Sequence, residues 1–166
     1  MDSDYYDSIS GGYDELYGEE QLRKAEIIAR HIKPRKTENL LDVGCGSAIY
    51  FQLFDCDKLG IDPSLELLKK ANEEQQGRFI QAVAENLPFK DQSFDYIISL
   101  TAVHNFSSPE KGLAEIKRVA KSRIALSILR QSQRPDEIEK TIRELFTIRK
   151  LILEDKDIIF ILDNKV

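Results

Sequence analysis

Apolar positions along this chain of 166 residues switch between two periods. In EEQLRKAEIIARHI, Leu22, Ala25, Ile28, Ala29 and Ile32 recur every three or four residues, which places them on one face of a helix that Pro34 stops. Short apolar runs follow in NLLDVG, DKLGID, RFIQA, FDYIISL and SRIALSIL, each of strand length. Helix-like sequence trails them in LELLKKAN, SPEKGLAEIKRVA and RPDEIEKTIRELF. Such alternation predicts an α/β fold with a parallel sheet covered on both faces. The end of the chain differs, because FTIRKLILE and DIIFILD are separated by too few residues for a parallel crossover and must pair as an antiparallel hairpin. Five parallel strands and a terminal hairpin make a mostly parallel sheet of seven strands.

Helix signals agree with that frame. Ser108-Pro109-Glu110 supplies a cap, a first-turn proline and a first-turn acid, and Pro135-Asp136-Glu137 repeats the proline and acid, so helices are expected to begin near 109 and 135. In such sheets ligands bind beyond the carboxyl ends of the strands, which directs attention to the turns there. The first turn is LLDVGCGSA, where Gly44 and Gly46 allow close backbone approach and a helix expected near Ser47 would point free amides at a ligand.

Asp42 decides what kind of ligand. A carboxylate at the end of an apolar strand is costly unless something cationic or amide-rich lies nearby, and it opposes a pyrophosphate while suiting an amino group. The sixth position of a dinucleotide loop should be Gly or Ala, and here it is Ile49. Asp62, which ends the second strand in GIDPS, is placed to accept hydrogen bonds from ribose hydroxyls. Ribose joined to a cationic amino acid group describes S-adenosyl-L-methionine. Read as structure alone, the two glycines are turn residues and Asp62 a helix cap.

Composition narrows the setting. With 42% hydrophobic and 32% charged residues, the chain reads as a single domain over residues 1–166, an N-terminal lid segment and helix (1–35) preceding the core (36–166). No apolar run approaches the roughly 20 residues that span a bilayer, and the acidic start is unlike a signal peptide, so a cytoplasmic protein without a membrane partner is expected. Cys45 and Cys56 are too few for a disulfide framework, and no metal-ligand spacing is present. The net charge of −5 hides an asymmetry, because residues 111–150 hold eleven Lys and Arg against five Asp and Glu. That excess fits solvated helix faces, or an anion preference at Arg130 and Arg134 toward a small molecule or an RNA phosphate.

Taken together, YYDSISGGYDELY, LLDVGCGSA, GIDPS, AENLPFKDQSFDYIIS and AVHNF resemble the N-terminal segment and successive motifs of class I S-adenosylmethionine-dependent methyltransferases, in particular the ubiquinone-biosynthesis-like and related small methyltransferases. The resemblance implies a Rossmann-like fold and an enzyme that methylates a small-molecule or RNA acceptor. It implies that Asp42 lies near the methionine amino group, that Gly44, Cys45 and Gly46 turn beneath it, and that Asp62, with Pro63 beside it, holds the ribose. Ala84 would offer its amide to the adenine ring with Glu85 close by, and Leu100 closes the fourth strand at the same site. Two positions depart from the family: Ala48 replaces a glycine, a change a helix start should accept, and Val83 replaces an aspartate. His104 follows the fourth strand where the methyl group would be presented, and is a candidate substrate ligand or proton acceptor beside a plain capping role. His31 suits the negative end of the first helix. Among Tyr5, Tyr6, Tyr13 and Tyr17, Tyr13 is the candidate for a lid over the cofactor. No insertion supplies a substrate-recognition subdomain, so a homodimer or a small activating subunit is a further expectation. A non-catalytic cofactor-binding module and an NAD-dependent oxidoreductase are the alternatives.

Overall fold

A computed structural model describes residues 13–165, with side chains from residue 18 onward. The expected lid tyrosines, Tyr5, Tyr6, Tyr13 and Tyr17, lie outside the described side chains. In chain order the elements are α1 (Tyr13–Ile32), β1 (Asn39–Val43), β2 (Asp57–Asp62), α2 (Leu65–Glu74), β3 (Arg78–Gln81), β4 (Phe94–Leu100), α3 (Pro109–Val119), β5 (Ala120–Leu129), α4 (Pro135–Leu145), β6 (Phe146–Glu154) and β7 (Asp157–Asn164). They form one seven-stranded sheet in the order β3-β2-β1-β4-β5-β7-β6. The first five strands are parallel, and β7 runs antiparallel to both β5 and β6.

Successive residues of each strand serve opposite faces, which is why the central strands are apolar throughout. Leu41, Val43 and Ile97 pack with Leu113 and Ile116 of α3 and Ile138 and Ile142 of α4. Their neighbours Leu40 and Ile98 pack on the other face with Ala25, Ile28 and Ile32 of α1 and Leu68 and Ala71 of α2. Helices α3 and α4 begin at Pro109 and Pro135 as the prolines and acids require, and Ser108 Oγ accepts from the Lys111 amide at 3.4 Å.

The connection from β1 to β2 departs from expectation. No α-helix starts near Ser47; the chain turns and makes only a 3₁₀ turn over Phe51–Leu53. Ala48 sits in the left-handed region at φ +52°, which stops a right-handed helix at its start, so the substituted position is a turn residue and not a helical one. The short connection instead buries Tyr50, Phe51 and Phe54, and Phe51 stacks on Phe79 with ring centroids 5.4 Å apart.

Candidate active site

The chain leaves β1 for β2 on one side, whereas β4 lies on the other, so the strand order reverses at β1 and opens a crevice at the carboxyl ends. A cleft of about 310 Å³ occupies it, near the lower end of the size of small-molecule sites. Gly44 forms part of its floor; Ile61 and Pro63 come from the end of β2, Ala82 to Glu85 from the turn after β3, and Asn105 to Ser107 from the turn after β4. Of the sequence candidates, Gly44, Pro63, Ala84 and Glu85 line this cleft directly. Phe106, which the pattern analysis did not single out, supplies an aromatic wall.

Asp62 builds the loop. Its Oδ2 accepts from the Gly46 amide and its Oδ1 from the Ser64 amide, both at 2.9 Å, while Ser64 itself caps α2 by accepting from Leu67. With 8% exposure it retains a small open face at the strand end. Gly44 has φ +79°, and a Cβ there would lie 2.6 Å from the Cβ of Ala102, so the demand for glycine comes from the turn after β4 as well as from the backbone angle. Glu85 accepts from the Ser108 amide at 3.0 Å and so ties the β3 turn to the start of α3.

Three candidates lie beneath the cleft and not on its surface. Asp42 is fully buried, its Oδ2 accepts from the Tyr50 hydroxyl at 2.9 Å, and its Oδ1 has no hydrogen-bond partner among the described residues. Burial pushes its carboxyl up to about 8; the Tyr50 hydrogen bond opposes this and the charge of Asp62 adds to it. Cys45 is buried, and burial together with the charges of Asp42 and Asp62 raises its thiol well above the ordinary range, which suits packing and not nucleophilic attack. Leu100 is core, packed with Ile98 and Ala125, and does not line the cleft.

A second, polar cleft of about 220 Å³ adjoins the first and shares Phe106 and Ser107 with it. His104, Glu110, Gln133, Arg134 and Glu137 complete most of its wall. His104 is half-buried, its Nδ1 is buried with no partner among the described residues, and burial, with a smaller contribution from the Lys24 charge, pushes its pKa down to about 4. Arg134 is thus accompanied by two glutamates, and Arg130 bonds to the Asp155 carbonyl. The anion preference expected of these two arginines therefore does not arise as a basic pocket. Most other bases of residues 111–150 are spent on ion pairs such as Arg118–Glu115, Lys121–Asp95 and Arg143–Glu139. His31 is structural: its Nδ1 donates to the Ile27 carbonyl at 2.8 Å while its Nε2 accepts from Lys150 at 3.0 Å.

Sequence reading missed Lys24 altogether. Its side chain is 1% exposed, and Nζ donates to Asp157 Oδ2 at 3.0 Å, Thr101 Oγ1 at 2.5 Å and Glu20 Oε1 at 2.9 Å. Thr101, at φ +53°, ends β4, and its amide donates to the Ser127 hydroxyl at 2.8 Å. Ala48 and Arg134, in the connections that follow β1 and β5, are also non-glycine residues held in the left-handed region. Such conformations gather where a site is built. Among the described residues no cluster could hold a metal ion, and no helix is long and apolar enough to cross a membrane.

Residues 41–127, just over half of the chain, match the methyltransferase-domain family. An uncharacterised protein of Methanocaldococcus jannaschii is 36% identical over 120 residues, covering 71% of this chain and 47% of that protein. An uncharacterised Bacillus subtilis methyltransferase is 33% identical over 120 residues, covering 64% of this chain and 47% of its own length. The chain thus spans about half the length of the curated relatives it matches. Among solved structures, a chain from the complex of the Haloferax volcanii Trm112 methyltransferase activator with its methyltransferase superposes with a TM-score of 0.84 at 15% identity, over 97% of this chain and 98% of that one. At that identity the likeness is one of fold.

Proposed function

The chain belongs to the S-adenosylmethionine-dependent methyltransferases, and from that premise we propose that it binds its cofactor in the larger cleft and methylates an acceptor held in the adjoining one. The observation that carries the reading is the cleft at the reversal of strand order, with Asp62 bracing the Gly46 amide at its edge. The residues present fit the cofactor. Ile61, Pro63, Val83 and Phe106 give apolar walls for a flat ring, Asp62 stands at the strand end for ribose hydroxyls, and the buried Asp42 carboxyl, neutral near pH 7 and with one oxygen that has no partner among the described residues, is an acceptor whose ionisation a neighbouring cationic group would favour. Val83 offers no side-chain acceptor, which leaves ring recognition to backbone groups and Glu85.

S-adenosylmethionine supplies a methyl group already activated on a sulfonium, so this chain's work is orientation and exclusion of water. Phe106 and Ser107 border both clefts and fix where they meet. His104 faces the acceptor side as a neutral ring. The oxidoreductase alternative loses its remaining support, because the turn after β1 starts no α-helix whose amides could hold a pyrophosphate.

A small activating subunit is the second part of the reading. Strand β3 is an edge, and Ile80 within it and Leu65 of α2 beside it are 40% and 45% exposed. An edge strand of this kind, with Ile80 exposed alongside the polar Arg78 and Gln81, suits a partner that adds to it. The Haloferax chain of the same fold comes from a complex with an activator, which is consistent with a small activating subunit here.

The test is transfer of labelled methyl from S-adenosylmethionine to fractionated RNA, protein and small-molecule pools, with and without a co-purified partner. Label in one pool that falls with Asp62→Ala at limiting cofactor supports an enzyme. No label above that background, despite cofactor binding, supports the non-catalytic module instead.

A further inference from the structure

The pair Lys24–Asp157 is buried on both sides, at 1% and 2% exposure, between α1 and the start of β7. Stability alone gives little reason for it, since desolvating two charges cancels most of their attraction and an apolar pair would hold α1 about as well. Its location is informative. Through Thr101 Oγ1 the ammonium holds the left-handed residue that ends β4, Thr101 is braced from β5 by Ser127, and three residues on stands His104. His104 lines the second cleft with a buried Nδ1 that has no partner among the described residues.

We propose that Lys24 is a positioning residue for methyl transfer, pinning the Thr101 turn so that the His104 ring faces the second cleft as a hydrogen-bonding group for an acceptor whose nucleophilic nitrogen or oxygen carries a proton. The inference rests on the transferase reading. The charged groups around this ring are Lys24 and Glu20 from α1, Asp157 from β7, Glu110 from α3, and Arg134 and Glu137 from α4. Burial and the Lys24 charge both disfavour its protonated form, so near neutral pH the ring carries one N–H and one lone pair. A neutral ring orients an uncharged nucleophile without setting a second positive charge beside the sulfonium. In the transfer, the acceptor atom bonds the methyl as the carbon–sulfur bond breaks, sulfur keeps the electron pair, and the acceptor's proton leaves to water.

The chain has two histidines, His31 and His104, so a His31→Gln background isolates the His104 ring signal in an NMR pH titration. The expected midpoint is about 4; Lys24→Met raises it, and Lys24→Arg leaves it in place. Lys24→Met/Asp157→Leu removes both charges together and keeps the test valid where the single variant does not fold; the two losses offset one another at the ring, so its midpoint stays near the wild-type value while the rate of methyl transfer falls with cofactor affinity kept. Methyl transfer at the wild-type rate in the double variant overturns the assignment. The acceptor class is read separately, by treating the labelled methyl product with alkali: a stable label is expected, and release of methanol, the mark of a methylated carboxylate, overturns it. A wild-type chain that fails to bind S-adenosylhomocysteine defeats the transferase reading, whereas one that binds it with a His104 midpoint indifferent to Lys24 defeats this inference alone.

Discussion

Asp42 imposes a pH dependence on folding whose size follows from its surroundings. The carboxyl is fully buried, with one hydrogen bond from Tyr50 and one oxygen that has no partner among the described residues, and it is held protonated up to about pH 8. In the unfolded chain the same group ionises at its ordinary value near 3.8. Below that value both states are protonated and Asp42 costs nothing. Between about pH 4 and pH 8 the unfolded chain has lost the proton that the folded chain keeps, so the stability contribution falls as pH rises, and above pH 8 it levels off. Each pH unit in that window is worth about 1.4 kcal/mol, so the whole span approaches 6 kcal/mol as an upper bound, a large share of the roughly 5–15 kcal/mol of an ordinary domain. Asp42→Asn keeps the shape and removes the titration. Urea unfolding at pH 5, 6, 7 and 8 should therefore show the variant gaining on the wild type at every step, by several kcal/mol at the last. Parallel profiles for the two proteins would refute the buried, protonated carboxyl.

Other expected outcomes rest on separate contacts. Gly112→Ala gains about 1 kcal/mol of helix propensity in α3 but sets a Cβ 2.4 Å from the Phe106 ring, so calorimetry should show weaker S-adenosylhomocysteine binding, relieved by a second change Phe106→Leu. Unchanged affinity in Gly112→Ala would remove Phe106 from the cleft wall. Gly44→Val meets both the left-handed backbone angle and the Ala102 Cβ, and thermal denaturation should register a loss of about 3 kcal/mol or more together with loss of cofactor binding. Asp62→Ala leaves the Gly46 and Ser64 amides without their acceptor, and should weaken cofactor binding by about 1–3 kcal/mol, read by titration at constant salt.

The sheet was legible because its strands are apolar on both faces and its helices carry their own caps. Ser108, Pro109 and Pro135 announced helix starts that the structure places at 109 and 135. What escaped was local geometry without a compositional signal. Ala48 looks like a good helix former, yet its left-handed angle and the brevity of the connection leave only a 3₁₀ turn before β2. Asp42 reads as a ligand-facing acid, but it is fully buried and the Tyr50 hydroxyl takes one of its oxygens. Lys24 sits next to the apolar face of α1 in a run that reads as amphipathic, and only the distant Asp157 and Thr101 explain why it is buried. Partners more than seventy positions away in the chain leave no local trace. The aromatic in AVHNF was visible as sequence, but its role needed the packing of Gly112 beneath it.

The central claim is that the larger cleft is a site for S-adenosylmethionine, and calorimetric titration of the purified chain with S-adenosylmethionine, S-adenosylhomocysteine and NAD in parallel tests it most directly. Saturable binding of the first two, with none for NAD, is the predicted result. Binding of NAD alone, or silence for all three with any activating partner present, would contradict it.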